Sequence, residues 1–290
     1  MAANLQLLHR RIKTAQNISL IAKAMQLIAA SKIKRAQHML LNHKPYADKI
    51  TSLAQELLLR VPRKKFSHPY ITSNNFPDRL LIVVSPDKGL SGSLTTNLVR
   101  RFLEEKSQNT FLVSVGKKAE AVASRTGYNL IASFPMGTHF PSYGAIYPII
   151  SIINEYYMNN KVSKVEILYS EFLSLFNQKP LLTQLLPIPE VPRTETTEVY
   201  LKDVIFEPNP DEILSSLLPH YLEVNIYHIL IQSFSSEQAA RLIAMQNAKY
   251  NAHDIVGYLT LEYNKTRQER ITSEILDLAN GQSAQLSIYG

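Results

Sequence analysis

MAANLQLLHRRIKTAQNISLIAKAMQLIAASKIKRAQHMLLNHK, residues 1–44, contains no Gly, Pro, Asp or Glu, yet carries eight Lys or Arg. Leu5, Leu8, Ile12, Ala15, Ile18, Ala22, Met25, Ala29, Ile33, Ala36 and Leu40 recur every three or four residues. That spacing keeps one stripe on one side of a helix, and at about 1.5 Å per residue the run is roughly 65 Å long, too long to lie within one small domain. The stretch predicts a coiled-coil arm.

A second arm is predicted at the other end. After Pro219 there is no further Pro, and Gly occurs only at 257, 281 and 290, while Val224, Ile231, Leu242, Met245, Ala252, Val256, Leu259 and Tyr263 repeat at similar spacing. Asn209 is placed to cap this helix, Pro210 fits its first turn because its missing N–H is not needed there, and Asp211 and Glu212 suit the positive end of the helix dipole. Residues 1–65 hold 13 Lys or Arg against Asp48 and Glu56, and residues 209–290 hold five against nine acids. The arms are therefore complementary, and charge favours antiparallel pairing while apolar burial supplies most of the stability. The basic excess outruns what one acidic arm neutralises, so part of that face is expected to meet something else. Pro45 and Pro219 suggest a register: if they share a level, facing residue numbers sum to about 264, since both helices rise equally per residue. Met1 then sits beside Tyr263, and 264–290 project beyond the pair with Ile275, Leu278, Leu286 and Ile288 as an apolar tip.

Between the arms the rhythm changes. RLLIVVS at 79–85 is a continuous apolar run, a buried-strand signal, and SLTTNLVRRFLEEK at 93–106 follows with helical spacing. TFLVSVG at 110–116, KKAEAVASRTG at 117–127 and YNLIASF at 128–134 repeat the alternation, and KVEILYSEF at 164–172 adds a strand. LLTQLLPIPEVP at 181–192 is Pro-rich and reads as edge or extended structure. The fold class is α/β: a long antiparallel coiled coil of N-terminal (1–66) and C-terminal (209–290) helices around a central, mainly parallel, Rossmann-like domain (67–208).

The chain has 290 residues, 45% of them hydrophobic, and no cysteine. That composition permits a substantial core and leaves out disulfides, thiol catalysis and Cys-ligated metals. No secretory signal or run of roughly 18 apolar residues stands out, so a soluble chain is expected. The only glycine cluster after a strand, KGLSGS at 88–93, lacks both the G-x-x-x-x-G-K-[ST] and the G-x-G-x-x-G patterns, and reads as a strand-to-helix turn rather than a nucleotide cradle. Ser91 and Ser93 lack a G-x-S-x-G elbow, so helix capping is their expected role. The eight histidines show no H-E-x-x-H or comparable ligand pair. No catalytic residue, cofactor or metal site is assigned. The basic arm could be read as a nucleic-acid binder, but its cations alternate with the apolar stripe and lack interleaved aromatics before Tyr46.

The residues resemble one family, the gamma subunit of rotary F-type ATP synthases. IAKAMQLIAASKIKRAQ at 21–37 is similar to that family's N-terminal signature, KGLSGSLTTNL at 88–98 to its Gly-rich turn, and QKPLLTQLLPIP at 178–189 to the segment after its last strands. SEQAARLIAMQNAKYNA at 236–252 and LTLEYNKTRQERITSEILDLANG at 259–281 resemble its C-terminal helix. The chain departs from the pattern at KGLSGS, where many members have Cys and a further Gly, and after Gly281, where QSAQLSIYG replaces a short Ala-rich end. The resemblance implies a non-catalytic central-stalk rotor. It implies a shaft inside a ring of alpha and beta subunits, with the epsilon subunit and the c-ring at the foot, coupling proton-driven rotation to ATP synthesis or hydrolysis. It implies a peripheral place on the cytoplasmic face of a bacterial inner or plasma membrane, membrane contact only through the complex, and no nucleic acid. It places Lys23 and Met25 where the shaft meets moving beta-subunit loops, and Arg241, Arg267, Gln268 and Thr272 near the catch and upper bearing. Met25 also fits ordinary coiled-coil packing. The alternative class is an α/β enzyme domain with a helical dimerisation clamp.

Overall fold

A computed structural model describes residues 2–60, 68–72, 74, 76–106, 109–189, 207 and 209–286. The expected domain limits at 66/67 and 208/209, and residues 190–192, 288 and Met1, touch or lie outside that range. Helix α1 spans Ala2–Arg60 and contains Pro45 without interruption. The last helix, α5, spans Pro210–Leu286 and contains Pro219 likewise. Between them run β1 (Arg79–Val84), α2 (Leu94–Glu104), β2 (Thr110–Val115), α3 (Lys117–Thr126), β3 (Asn129–Phe134), a short 3₁₀ turn (Tyr143–Ile146), α4 (Tyr147–Met158), β4 (Lys164–Phe172) and β5 (Gln178–Leu186). The helix α4 was not anticipated from sequence; it buries Ile149, Ile153 and Tyr157 at four-residue steps on the crossover to β4.

The start of α5 follows its caps. The Glu212 N–H donates to Asn209 Oδ1 at 2.9 Å, and Asn209 Nδ2 returns a bond to Glu212 Oε1 at 2.6 Å. This reciprocal pairing satisfies a donor that the first helical turn leaves open. Ser93 behaves otherwise than expected. Its backbone is already right-handed helical and its side chain makes no capping bond, because capping geometry needs an extended Ncap residue. Ser91 Oγ lies 3.0 Å from Thr95 Oγ1 instead.

The sheet order is β3-β2-β1-β4-β5, parallel except for β5, which runs antiparallel beside β4. Pro180 sits on this edge strand, where a missing N–H is tolerated. All five residues Leu80–Val84 are buried, so both faces of β1 are covered, which is why the strand reads as an unbroken apolar run. On one face Leu81, Val83, Leu112 and Leu168 pack with Leu98 and Phe102 of α2 and Ala119 and Ala123 of α3.

Contacts divide the chain into two compact units, 1–28 with 242–290, and 29–241. In the first unit, Leu5, Leu8, Ala15 and Ala22 of α1 and Met245, Ala252 and Leu259 of α5 are buried. The helices run antiparallel, with the His9 and Tyr263 rings 6.2 Å apart. Tyr263 thus meets His9, eight residues along α1 from the position that level prolines would give it. Proline removes one backbone hydrogen bond and displaces only its own turn, so it marks a level coarsely, and interdigitating side chains set the register. Ile18 is 50% exposed rather than buried. The steps of seven, the buried Leu8–Ala15–Ala22 and the flanking Leu5–Ile12–Ser19, of which Ile12 and Ser19 are half-buried, leave Ile18 beside the seam, a distinction that three-or-four spacing does not make. Leu242, Val256 and Tyr263 are half-buried, at the seam's flank. Ile275 is 60% exposed. The side chains of Leu278 and Leu286 lie outside the described residues.

In the second unit Ala29, Ile33, Ala36, Ala47, Ala54 and Leu57 continue the α1 stripe. Here α5 is enclosed: Leu222, Val224, Ile226, Leu230, Phe234 and Ala239 are all buried, and so are the polar residues Ser233 and Ser235–Gln238.

Candidate interaction surfaces

In open α/β sheets ligands bind beyond the carboxyl ends of the strands, where strand order reverses. In this sheet that point lies between β1 and β4, next to the turn at residues 85–93. The turn is built on backbone. Asp87 accepts N–H bonds from Lys117 (2.9 Å), Met136 (3.3 Å) and Gly137 (2.8 Å), tying the ends of three β-strand connections. Gly116 is obligatory: with φ at +107°, a Cβ there would lie 1.9 Å from the Ser85 carbonyl oxygen.

The arms close this crevice. Arg241 of α5 donates to the Gly89 carbonyl at 3.3 Å and to Glu237 Oε1 at 2.6 Å. Ser236 Oγ donates to the Ser170 carbonyl at 2.9 Å, and Lys32 Nζ of α1 to the Thr138 carbonyl at 2.5 Å. Burial pushes the Glu237 carboxyl above the usual carboxylate range, Arg241 opposes this, Asp87 adds to it and Lys32 opposes it. A site where doubly wound folds receive nucleotides is thus filled by protein side chains, and KGLSGS is a tight turn held under α5. Glu237 was missed from sequence, although its position four residues before Arg241 on a helix was a signal.

The arms carry unusual outer surfaces. In the first unit Leu20, Ile21, Leu27 and Ile28 on α1 are 66, 61, 63 and 56% exposed, and Tyr258 and Leu261 on α5 are 68 and 71% exposed. Large apolar side chains gathered outside a helix pair mark a surface built for contact with another macromolecule. An apolar groove of about 440 Å3 lies between the helices, floored by Ala15, Ala252 and Leu259 and rimmed by Arg10 and Arg11.

Of the residues singled out in sequence, Lys23 is exposed, while Met25 is half-buried, flanking the seam between Ala22 and Ala29. Two helical positions apart, these side chains point to opposite sides of α1. Arg267, Gln268 and Thr272 are exposed, and the Thr272 hydroxyl donates to the Gln268 carbonyl at 2.9 Å. Gln268 and Thr272 therefore share one face, whereas Arg241 is largely buried as the strap on Gly89.

A helix pair with apolar outer faces, joined to an α/β sheet whose crevice is filled by its own arms, defines a subunit-type protein. A family model described as ATP synthase matches residues 4–285. The chain is 37% identical to the ATP synthase gamma chain of Dehalococcoides mccartyi, covering 97% of this chain and 99% of the relative. It is 35% identical to the ATP synthase gamma chain of Roseiflexus castenholzii, covering 96% and 97%. The fold is similar to a chain of the Euglena gracilis mitochondrial ATP synthase structure with OSCP, F1 and c-ring, at a TM-score of 0.71 and 14% identity over 98% of this chain and 95% of that one. The chain belongs to the ATP synthase gamma chain family. Among the described residues no helix is long and apolar enough to cross a membrane.

Proposed function

We propose that this chain is the central-stalk rotor subunit of an F-type ATP synthase, non-catalytic itself, coupling proton-driven rotation to ATP synthesis or hydrolysis in a surrounding alpha/beta ring. The observation that carries the reading is the family match along nearly the full chain together with helix arms whose outer faces are apolar and, on α1, strongly basic. An asymmetric rigid shaft acts on its ring by contact alone: each orientation presents a different side to a given site and so favours a different affinity there, which needs differential contact and no chemistry in the shaft. Lys23 and Met25 are proposed to face the moving beta-subunit loops, and Arg267, Gln268 and Thr272 the upper bearing. Arg241 is proposed to serve the catch through the strap it makes with Gly89. The epsilon subunit and c-ring are proposed partners at the foot, and a peripheral, membrane-facing location follows from assembly.

Assembly with alpha and beta subunits tests the reading. The chain is expected to be required for coupled ATP synthesis, and Lys23→Glu is expected to weaken coupling more than folding, since an exposed helix position contributes little to stability. Calorimetry of the isolated chain with Mg-ATP is expected to show no binding. Micromolar one-to-one binding would instead favour an enzyme domain with a helical clamp.

A further inference from the structure

In the second unit, the α1 stripe reaches a position where a histidine replaces the alanines. Leu8, Ala15, Ala22, Ala29 and Ala36 step by seven, and the next step is His43. Its ring stacks on His228 of α5, 5.8 Å between centroids and 19° between planes, and meets Tyr227 edge-on at 5.1 Å. The Nδ1 atoms of both histidines are buried with no hydrogen-bond partner. Near-parallel rings do not aim their in-plane lone pairs at a common point, so the pair is no metal clamp.

The surroundings ask for neutral imidazoles. The Phe172 N–H donates to Gln232 Oε1 at 3.4 Å, which orients that amide so that its Nε2 lies 2.8 Å from His228 Nε2 as a donor. His228 Nε2 must then accept, and a proton placed there would set donor against donor. We propose that the stacked His43–His228 pair is a proton-sensitive latch at the root of the two arms, closing the helix pair when neutral and opening it when protonated.

The charged and titratable neighbours are Lys44, Tyr46 and Asp48 on α1, His220, Glu223 and Tyr227 on α5, and Tyr143 with Tyr147 next to them. Glu223 is already engaged, accepting from Tyr143 Oη at 3.1 Å and lying 3.4 Å from His220 Nδ1. Burial holds both imidazoles below their ordinary value; for His228 the His43 ring adds to this, Asp48 opposes it and Lys44 adds again. The native pair therefore binds fewer protons than the opened chain. Its stabilising contribution is complete above the ordinary imidazole value of about 6.5 and is lost as pH falls below it. One pH unit below that value, each histidine kept neutral by folding raises local opening by up to about tenfold.

Hydrogen exchange of the full chain at about pH 7.5 and about pH 5.5, corrected for intrinsic exchange, tests this where imidazoles titrate. The turns around residues 39–47 and 224–232 are expected to open up to about tenfold more per histidine on acidification, with β1 and β2 unchanged. His43→Phe, which keeps the stack, and His228→Gln are each expected to remove part of that response. A parallel proton NMR titration of the wild type, with resonances assigned through the two variants, is expected to show the His43 and His228 imidazoles ionising below the ordinary value. The latch is overturned if the wild type shows no added opening, if both variants respond like the wild type, if the sheet opens in step with the arms, or if neither His43 nor His228 titrates low.

Discussion

Tyr46 and His220, each the residue after the proline of its helix, are joined through Tyr46 Oη and His220 Nε2 at 2.7 Å. Both helices continue through their prolines, but the stack of His43 on His228 sets Pro45 opposite the turn near Ile226, roughly two turns along α5 from Pro219, so the prolines are not level and the long Tyr46 side chain spans the offset. Both prolines keep their neighbours helical because the single lost backbone bond is offset by packing of the paired arm.

The register in the first unit follows from His9 facing Tyr263. Cysteines introduced at these two positions are expected to crosslink readily with a short thiol-directed reagent. A pair at Leu8 and Val256, which a proline-based register would bring together, is expected to react poorly. Preferential reaction of the latter pair would show that the arms are shifted by about two turns.

Ala22 and Ala29 are 3% and 0% exposed in the seam. Replacing either by Leu forces extra methylenes between closely approaching helices, an overpacking that costs about 1 to 3 kcal/mol. Thermal denaturation of each variant measures this, and an unchanged melting temperature would place these alanines outside the seam.

Gly116→Ala introduces a Cβ that collides with backbone, the Ser85 carbonyl, at a positive φ. Because the obstacle is main chain and cannot rotate away, a loss of about 3 kcal/mol or more is expected by chemical denaturation. Gly127→Ala, where a Cβ meets nothing within 4 Å despite φ at +70°, is expected to cost less, about 1 kcal/mol.

Arg79 lies between two carboxylates, 3.2 Å from Glu105 and 2.8 Å from Glu166, all with side chains 10–15% exposed. Arg79→Met leaves two nearly buried acids without their shared cation, although Arg101 and Lys164 still touch one each. A loss of about 3 to 5 kcal/mol is expected near neutral pH. Chemical denaturation measures this, and a loss under about 1 kcal/mol would contradict the electrostatic cause.

Much of this architecture is legible in the chain because it is written in short-range periodicity. Strands β1, β2 and β4 coincide with the runs RLLIVVS, TFLVSVG and KVEILYSEF, since strands covered on both faces are mostly apolar, with the buried Ser114, Glu166 and Ser170 as exceptions. Asn209 announced the start of α5 through a capping pattern three residues long. The family was legible for a related reason: its longest signatures, at 21–37, 236–252 and 259–281, sit on the arms, where a fixed helical spacing carries them, and two shorter ones mark the turn after β1 and strand β5.

Tertiary structure alone decided the rest. Whether Ile18 is seam or surface depends on which seven-residue track the partner helix occupies, and the two tracks differ by less than one helical step. That Glu237, Ser236 and Gln238 are buried follows from α5 being wrapped by the sheet domain, a long-range contact no local pattern records. The stack of His43 on His228 needs residues 185 positions apart to meet, and the closure of the sheet's crevice by Arg241 on Gly89 needs residues 152 apart. Local sequence determines which face of each element is apolar, through repeat periods of two and three to four residues. Which surfaces then meet is set by packing between distant segments, where burial and hydrogen-bond satisfaction are settled jointly.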